Sequence, residues 1–413
     1  MSTTGTAPAP TGLDASGRRR VLIVLCATQI TSWGILYYAF PVLSTSITTG
    51  TGWSAPVITA AFSAGQLAAA LTGIPVGRIL DRTGPRTVMT AGSIAAVPAL
   101  LVVATAPNPV LFFAGWIAAG VAMGAVLYPP AFAALTRWHG DDRIRALMIL
   151  TLVAGLASTV FAPLTAALDL HTGWRTTYLI LAGVLAAITI PAHWFGLRGP
   201  WPDPPPPAAA EFDRHDRIAR SPAFLALTAA LALGAFASFA GVFNLVPLLL
   251  EHGFSPTLAA WTLGLGGAGQ VLGRLGYLQL AARTSPATRL IALLAATAAT
   301  TALLGLAATV TTLVAISIGA GLVRGLTTLV QATAVTDRWG ATHYGRLGGL
   351  LNAPIVIVMA LAPFAGTALS AATGSYANAY LVLAAIAAAA AVLGLAATPR
   401  TRSPEPVASE SDS

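Results

Sequence analysis

The amino-acid sequence predicts an all-α membrane protein: twelve transmembrane helices in two pseudo-symmetric six-helix bundles. Three observations carry that prediction. Of 413 residues only 9% are charged and 56% are hydrophobic, whereas an ordinary soluble chain has roughly a quarter of its positions charged. So few charges cannot solvate a globular exterior, which excludes a soluble enzyme, a secreted disulfide scaffold and a disordered chain. The second observation is the number of long apolar runs. The third is the ordered recurrence of short segments at offsets of 200 to 204 residues.

A helix crossing a ~30 Å hydrocarbon core needs about 20 largely apolar residues. Cut at charges and at Gly, Pro and Asn turns, the runs fall at 21–44, 54–77, 87–105, 109–136, 145–168, 174–196, 222–250, 257–282, 288–308, 311–336, 346–370 and 376–397. They lack the alternation of barrel strands. The first follows a polar tail, runs past signal-peptide length and has no small-residue cleavage site, so it reads as a span.

Orientation follows from the arginines, which make up all 22 basic residues. Alternating the spans puts 19 of the 22 on one face and leaves Arg175 alone in a loop on the other. The positive-inside rule makes the rich face cytoplasmic, with both termini inside a cytoplasmic (inner) membrane. The net charge of +8 therefore reports topology and not a nucleic-acid partner. Trp53, Trp138, Trp174, Trp194, Trp261 and Trp339 fall near predicted helix ends, as an interfacial belt requires.

The longest loop, 197–221, begins Trp201-Pro202-Asp203 and continues through Pro204 to Pro207. Proline holds backbone extended, so this reads as a semi-rigid linker. The expected organisation is an N-terminal tail over 1–20, a bundle over 21–196, the linker over 197–221, a second bundle over 222–397 and a tail over 398–413. Between the bundles Ala64-Gly65-Gln66 recurs as Ala268-Gly269-Gln270, Arg137-Trp138 as Arg338-Trp339, Arg145 as Arg346 and Ala162-Pro163 as Ala362-Pro363. Tyr178 to Ala182 recurs as Tyr380 to Ala384. Repeated halves facing a midplane site are the architecture of alternating-access carriers.

The loop between the second and third spans reads Gly77-Arg78-Ile79-Leu80-Asp81-Arg82-Thr83-Gly84-Pro85-Arg86. It resembles the G-x-L-A-D-R-x-G-R-R signature of the major facilitator superfamily, at the place where a twelve-span member carries it. The resemblance implies a cytoplasmic gate built from Gly77, Asp81, Arg82, Gly84 and Arg86. The glycines would permit a tight turn and close helix approach. Asp81 would bond a neighbouring helix N-terminus, or arginines that part when that side opens. The matching stretch of the second half, Ala281-Ala282-Arg283-Thr284-Ser285-Pro286, has no acid, so any latch there is expected to be weaker. Proton-coupled drug exporters of the superfamily carry an Arg early in span four, where this chain has Trp116, and a Gly before the Pro of span five, absent at Pro163.

None of the fourteen acids lies within the middle of a span, but two arginines do. Arg324 sits about midway along the tenth span, and Arg274 roughly 7 Å to the cytoplasmic side of centre in the eighth at 1.5 Å per residue. Such an arginine costs ~2.5–3.5 kcal/mol on insertion scales, so each demands a partner. Gln270 shares the face of Arg274, and Gln331 that of Arg324. Asn244 and Asn352 add amides from neighbouring spans. The first half contributes Gln29, Trp33 and Tyr37 at spacings of four, with Gln66 and Tyr128. A cavity with two fixed positive charges, amides, phenols and no acid suits a small anionic substrate, since Arg grips a carboxylate in a bidentate fork.

This set is similar to the oxalate/formate and monocarboxylate branch of the superfamily, in which an Arg of span eight is a substrate ligand. In the mammalian-type monocarboxylate carriers an Asp stands four residues before that Arg, where this chain has Gln270. Without an intramembrane acid or His in the pathway, coupling to a counter-anion, or to a proton entering with the substrate, fits better than a carboxylate relay. Prolines at 41, 129, 130, 163, 247, 354 and 363 bend their helices, and the bends in spans one, four and seven are pivots on which the halves could rock.

The expected function is thus secondary active transport of a small organic anion such as a carboxylate. Efflux of a drug or secondary metabolite is the alternative, and a non-transporting membrane sensor a more remote one. No metal-ligand spacing, nucleophile elbow or phosphate loop suggests an enzyme, a metal or a cofactor.

Overall fold

The computed structural model describes residues 13–201, 217–340 and 344–397; most of the expected linker (202–216), residues 1–12 of the expected N-terminal tail and the whole expected C-terminal tail lie outside the described residues. Among these residues every regular element is helical. The twelve crossings are α1 (Ala15–Thr51), α2 (Ala55–Thr83), α3 (Pro85–Thr105), α4 (Pro109–His139), α5 (143–172), α6 (174–196), α7 (Pro222–Glu251), α8 (Pro256–Arg283), α9 (Pro286–Leu306), α10 (Val310–Thr333), α11 (Tyr344–Thr373) and α12 (Tyr376–Leu395). Hydropathy and length alone single out ten spanning helices. The other two crossings come from dividing 143–196 at Gly173, whose φ of 76° breaks the rod, and from α8, whose glycines, Gln270 and Arg274 dilute its apolar character.

Short polar caps set the starts. Ser221, Ser255 and Ser285 each accept a hydrogen bond from the backbone N–H three residues on, with Pro next in sequence. An oxygen cap satisfies an orphan N–H, and proline at the first helical position loses nothing. Some ends run past the expected spans, most of all in the first helix: α1 begins at Ala15, capped by Asp14, which accepts from the Gly17 N–H at 2.8 Å, and continues to Thr51.

Helix association in lipid relies on close packing of small residues, since lipid tails are as apolar as leucine. The pairs α2/α4 and α8/α10 show this most clearly. A methyl group on Gly120 would lie 1.9 Å from the Gly65 carbonyl oxygen, and one on Gly321 would lie 1.9 Å from that of Gly266. Gly124 faces the Ala69 carbonyl as Gly325 faces that of Gln270. Each of these positions recurs 201 residues later, which makes the two bundles structural copies. It also corrects one alignment: the Ala-Gly-Gln match at an offset of 204 is about one turn out of register. The structural counterpart of Gln270 is Ala69, not Gln66. In Ala- and Gly-rich helices a slip of three residues keeps nearly the same face, so the sequence alone cannot detect it.

The two halves meet through α1 with α7, α2 with α11, and α5 with α8. Toward the end opposite the arginine-rich loops this contact is close. Phe40, Leu43 and Ile47 of α1 and Val246, Leu248 and Leu249 of α7 are buried there, and the Phe364 N–H donates to Ser63 Oγ at 3.2 Å. Toward the arginine-rich end, the first part of α1 and the second part of α4 pack mainly on helices of their own half.

Candidate functional site

Two irregularities shape the first half's face of the cleft. Pro41 cannot donate to the Tyr37 carbonyl, and the chain just before it adopts a π turn over Gly34–Tyr38. Such turns relieve the missing bond and re-aim side chains. Gly34 is required here because a methyl group would sit 2.2 Å from the Phe161 ring of α5. In α4, Pro129 and Pro130 remove two consecutive donors, and the helix breaks at Leu127, which is extended (φ −81°, ψ −160°). The carbonyl freed by Pro130 is that of Val126, and Gln29 Nε2 donates to it at 2.6 Å. Gln29 is fully buried, so its amide nitrogen braces α1 against the broken helix.

The result is a ladder of rings. Tyr37 and Trp33 have centroids 5.0 Å apart, Trp33 and Tyr128 4.9 Å, and Tyr128 and Phe132 4.9 Å with nearly parallel planes. Tyr37 closes the upper end against Phe62 and Phe243. Trp33, Tyr128 and Phe132 remain partly exposed.

Facing them from the second half are the two membrane arginines. Arg324 Nε donates to Gln270 Oε1 at 3.3 Å, and its guanidinium lies within electrostatic reach of Tyr37, Tyr38 and Arg274. Arg274 acts on the Tyr128 hydroxyl, and its Nη1 donates to the Thr151 carbonyl of α5 across the interface between halves. Both arginines are partly buried. The ion pairs among the described residues are Arg137–Asp81 and, at 2.8 Å, Arg289–Asp337. Neither involves Arg274 or Arg324. No cluster of potential metal ligands is found among these residues.

The other expected residues are distributed by depth. Gln331 Nε2 donates to Asn352 Oδ1 at 2.6 Å, joining α10 to α11 nearer the arginine-rich end. Asn244 lies on the opposite side of the centre. Its Nδ2 donates to the Ala240 carbonyl, and its Oδ1 accepts from Thr367 at 2.9 Å. It lines a separate cavity of about 400 Å³ with Ser44, Thr48, Ser370 and Glu251. Gln66 faces Met123 Sδ at 3.6 Å, between α2 and α4. The structure thus brings together Trp33, Tyr37, Tyr128, Gln270, Arg274 and Arg324, and separates Asn244, Gln66 and the Gln331–Asn352 pair from them.

The loop motif is wired within the first half. Asp81 pairs with Arg137 at the end of α4, and Arg86 Nε donates to the Trp194 carbonyl at 2.9 Å while stacking over its ring. Arg82 is exposed. Gly84 takes φ 78°, a conformation other residues resist, and a methyl group there would lie 3.3 Å from the Trp201 ring. Gly77 differs from expectation: nothing lies within 4 Å of where its Cβ would be, so it permits no close helix approach here. The second half has its own charge cluster despite lacking the motif's acid. Asp337 Oδ2 accepts from Arg289 and, at 2.9 Å, from Thr333 Oγ1.

Sequence reasoning passed over Phe132, although its spacing of four from Tyr128 was a usable signal. Asp337 and Arg289 lie 48 residues apart, and no local pattern connects them. Tyr38, the last residue of the π turn, lies within electrostatic reach of Arg324 and was not singled out in the sequence.

A sequence model of the Major Facilitator Superfamily matches residues 22–323. Monocarboxylate transporter 13 of Rattus norvegicus is 27% identical over 312 residues, covering 68% of this chain and 69% of the relative. An uncharacterized MFS-type transporter, YcxA, of Bacillus subtilis (strain 168) is 32% identical over 130 residues, a match that spans only 30% of this chain and 31% of the relative. Among solved structures, the nucleoside transporter NupG superposes with a TM-score of 0.76 at 14% identity, covering 92% of this chain and 98% of that one. A bacterial homologue of the human lysosomal transporter Spinster, in an inward-facing and unoccupied conformation, superposes with a TM-score of 0.71 at 18% identity, covering 94% and 96%.

Proposed function

The chain belongs to the major facilitator superfamily, and from that premise we propose that it is a secondary active transporter moving a small organic anion, such as a carboxylate, by alternating access. One observation carries the choice of anion. Arg274 and Arg324 stand within the spans with no carboxylate partner among the described residues. Opposite charges 4 Å apart at an effective dielectric of 20 attract by about 4 kcal/mol, and guanidinium holds carboxylate in a fork. The likeness to monocarboxylate transporter 13 supports the same class.

In this reading the arginine-rich end faces the cytoplasm, as the positive-inside rule favours, with both termini inside. The halves are in close contact at the far end, while toward the arginine-rich end α5 and α8 still meet and α1 and α4 stand mainly on their own half, which in this reading is an inward-facing arrangement. Substrate entering between α4 and α10 would meet the guanidinium pair. Separation of α1 from α7 and of α2 from α11 would then release it on the other side. The Asp81–Arg137 pair holds the loop and the end of α4 as one body while this happens. With no carboxylate beside the two arginines, charge balance comes from a counter-anion or from a proton carried with the substrate.

The deciding experiment is flux in proteoliposomes of the full chain, with labelled carboxylates on one side and with or without a pH gradient. Uptake that is lost in Arg274→Gln supports the reading. Equal flux of neutral or cationic solutes, unaffected by that substitution, defeats it.

A further inference from the structure

The ring ladder says more about the cargo than its charge. We infer that the substrate class is a planar, ring-bearing carboxylate, bound with its ring on Trp33 and Tyr128 and its carboxylate on the guanidiniums; this rests on the anion reading above.

Three observations support it. First, the ladder is continuous: Tyr37, Trp33, Tyr128 and Phe132 follow one another at centroid spacings of 4.9 to 5.0 Å. Its upper end is sealed by Phe62 and Phe243, while Trp33, Tyr128 and Phe132 stay partly exposed. Tilted and offset rings at such spacings present faces and edges that favour another ring over a flexible chain. Second, the positive charge lies beside the aromatic face and not at a distance from it. Arg274 acts on the Tyr128 hydroxyl, and Arg324 on Tyr37 and Tyr38. A molecule that touches both carries an acid group and a ring together. Third, donors are left over. Trp33 Nε1 and Arg274 Nε have no hydrogen-bond partner among the described residues, and of the Arg324 donors only Nε is bonded among them. Buried polar groups are normally paired, so these are groups a carboxylate could satisfy.

A short aliphatic acid such as acetate would satisfy the arginines and leave the rings uncovered. A neutral ring would do the reverse. Only a molecule with both parts uses the whole surface.

The test is titration of the purified full-length protein in detergent with benzoate, phenylacetate, acetate and neutral benzamide, read by calorimetry. Benzoate and phenylacetate are expected to bind at least roughly tenfold tighter than acetate, since ring stacking and burial add to the shared charge term. Trp33→Ala should remove that advantage, weakening benzoate far more than acetate, while Trp33→Phe should keep most of it. Tyr128→Leu, read the same way, covers the case in which Trp33→Ala does not fold. Equal binding of acetate and benzoate, with both lost in Arg274→Gln, overturns the ring assignment and leaves the anion reading standing. Benzamide binding as tightly as benzoate, or no carboxylate binding at all, overturns the anion reading and this inference with it.

Discussion

Arg324 donates through Nε to Gln270 at 3.3 Å, and by the 201-residue register of the bundles Gln270 occupies the place held by Ala69 in the first half. The charged site is therefore an asymmetric elaboration of a symmetric helix contact. In the first half the equivalent point of the α2/α4 contact, Gly124 against Ala69, holds small residues. In the second, the same contact carries an amide that orients an arginine without neutralising it.

That distinction is testable by charge. Gln270→Glu would set a carboxylate against Arg324, and an attraction of about 4 kcal/mol at 4 Å in an effective dielectric of 20 would compete with any anionic ligand. Anion affinity measured by calorimetry should fall by at least about tenfold, with the melting temperature unchanged or raised.

The brace between Gln29 and Val126 makes a second prediction. Gln29→Leu leaves the Val126 carbonyl without its donor and should cost about 1–3 kcal/mol in thermal unfolding. Pro130→Ala restores the N–H that a regular helix would offer that carbonyl. The double variant should recover part of the loss, and a melt showing simple additivity would mean the carbonyl is satisfied otherwise.

Glycine positions separate tight contacts from loose ones. Gly120→Ala and Gly321→Ala each force a methyl group to within 1.9 Å of a backbone oxygen, an overpacking expected to cost about 1–3 kcal/mol. Gly77→Ala, with open space around it, should be neutral or stabilising by up to about 1 kcal/mol. Melting temperatures of the three variants in one detergent provide the comparison.

The two ion pairs should respond differently. The Asp81 side chain is 53% exposed in its pair, so Asp81→Asn should change stability by only about 0–1 kcal/mol. Arg289 is 5% exposed and Asp337 25%; Asp337→Asn strands a buried guanidinium and should cost about 2–4 kcal/mol, somewhat below a fully buried pair. If the motif loop gates transport, Asp81→Asn will slow flux in proteoliposomes far more than it lowers the melting temperature.

Much of this molecule is written locally. Spanning length and charge scarcity are properties of consecutive residues, so the helices, their number and the family motif could be read directly along the chain. Arg274, Arg324 and the amide beside each stood out because a charge in lipid is rare and costly wherever it occurs. Partners were another matter. That Gln29 braces a broken helix, that Asn244 belongs to a different cavity, that Asp81 pairs inside its own half and that Phe132 extends a ring ladder all depend on which faces meet across helices. In a chain so rich in Ala, Leu and Gly, a face slipped by one turn is almost as apolar as the true one. Only backbone approach at the glycines, and the breaks imposed by Pro41, Pro129 and Pro130, select the register, and those are decided when the helices pack.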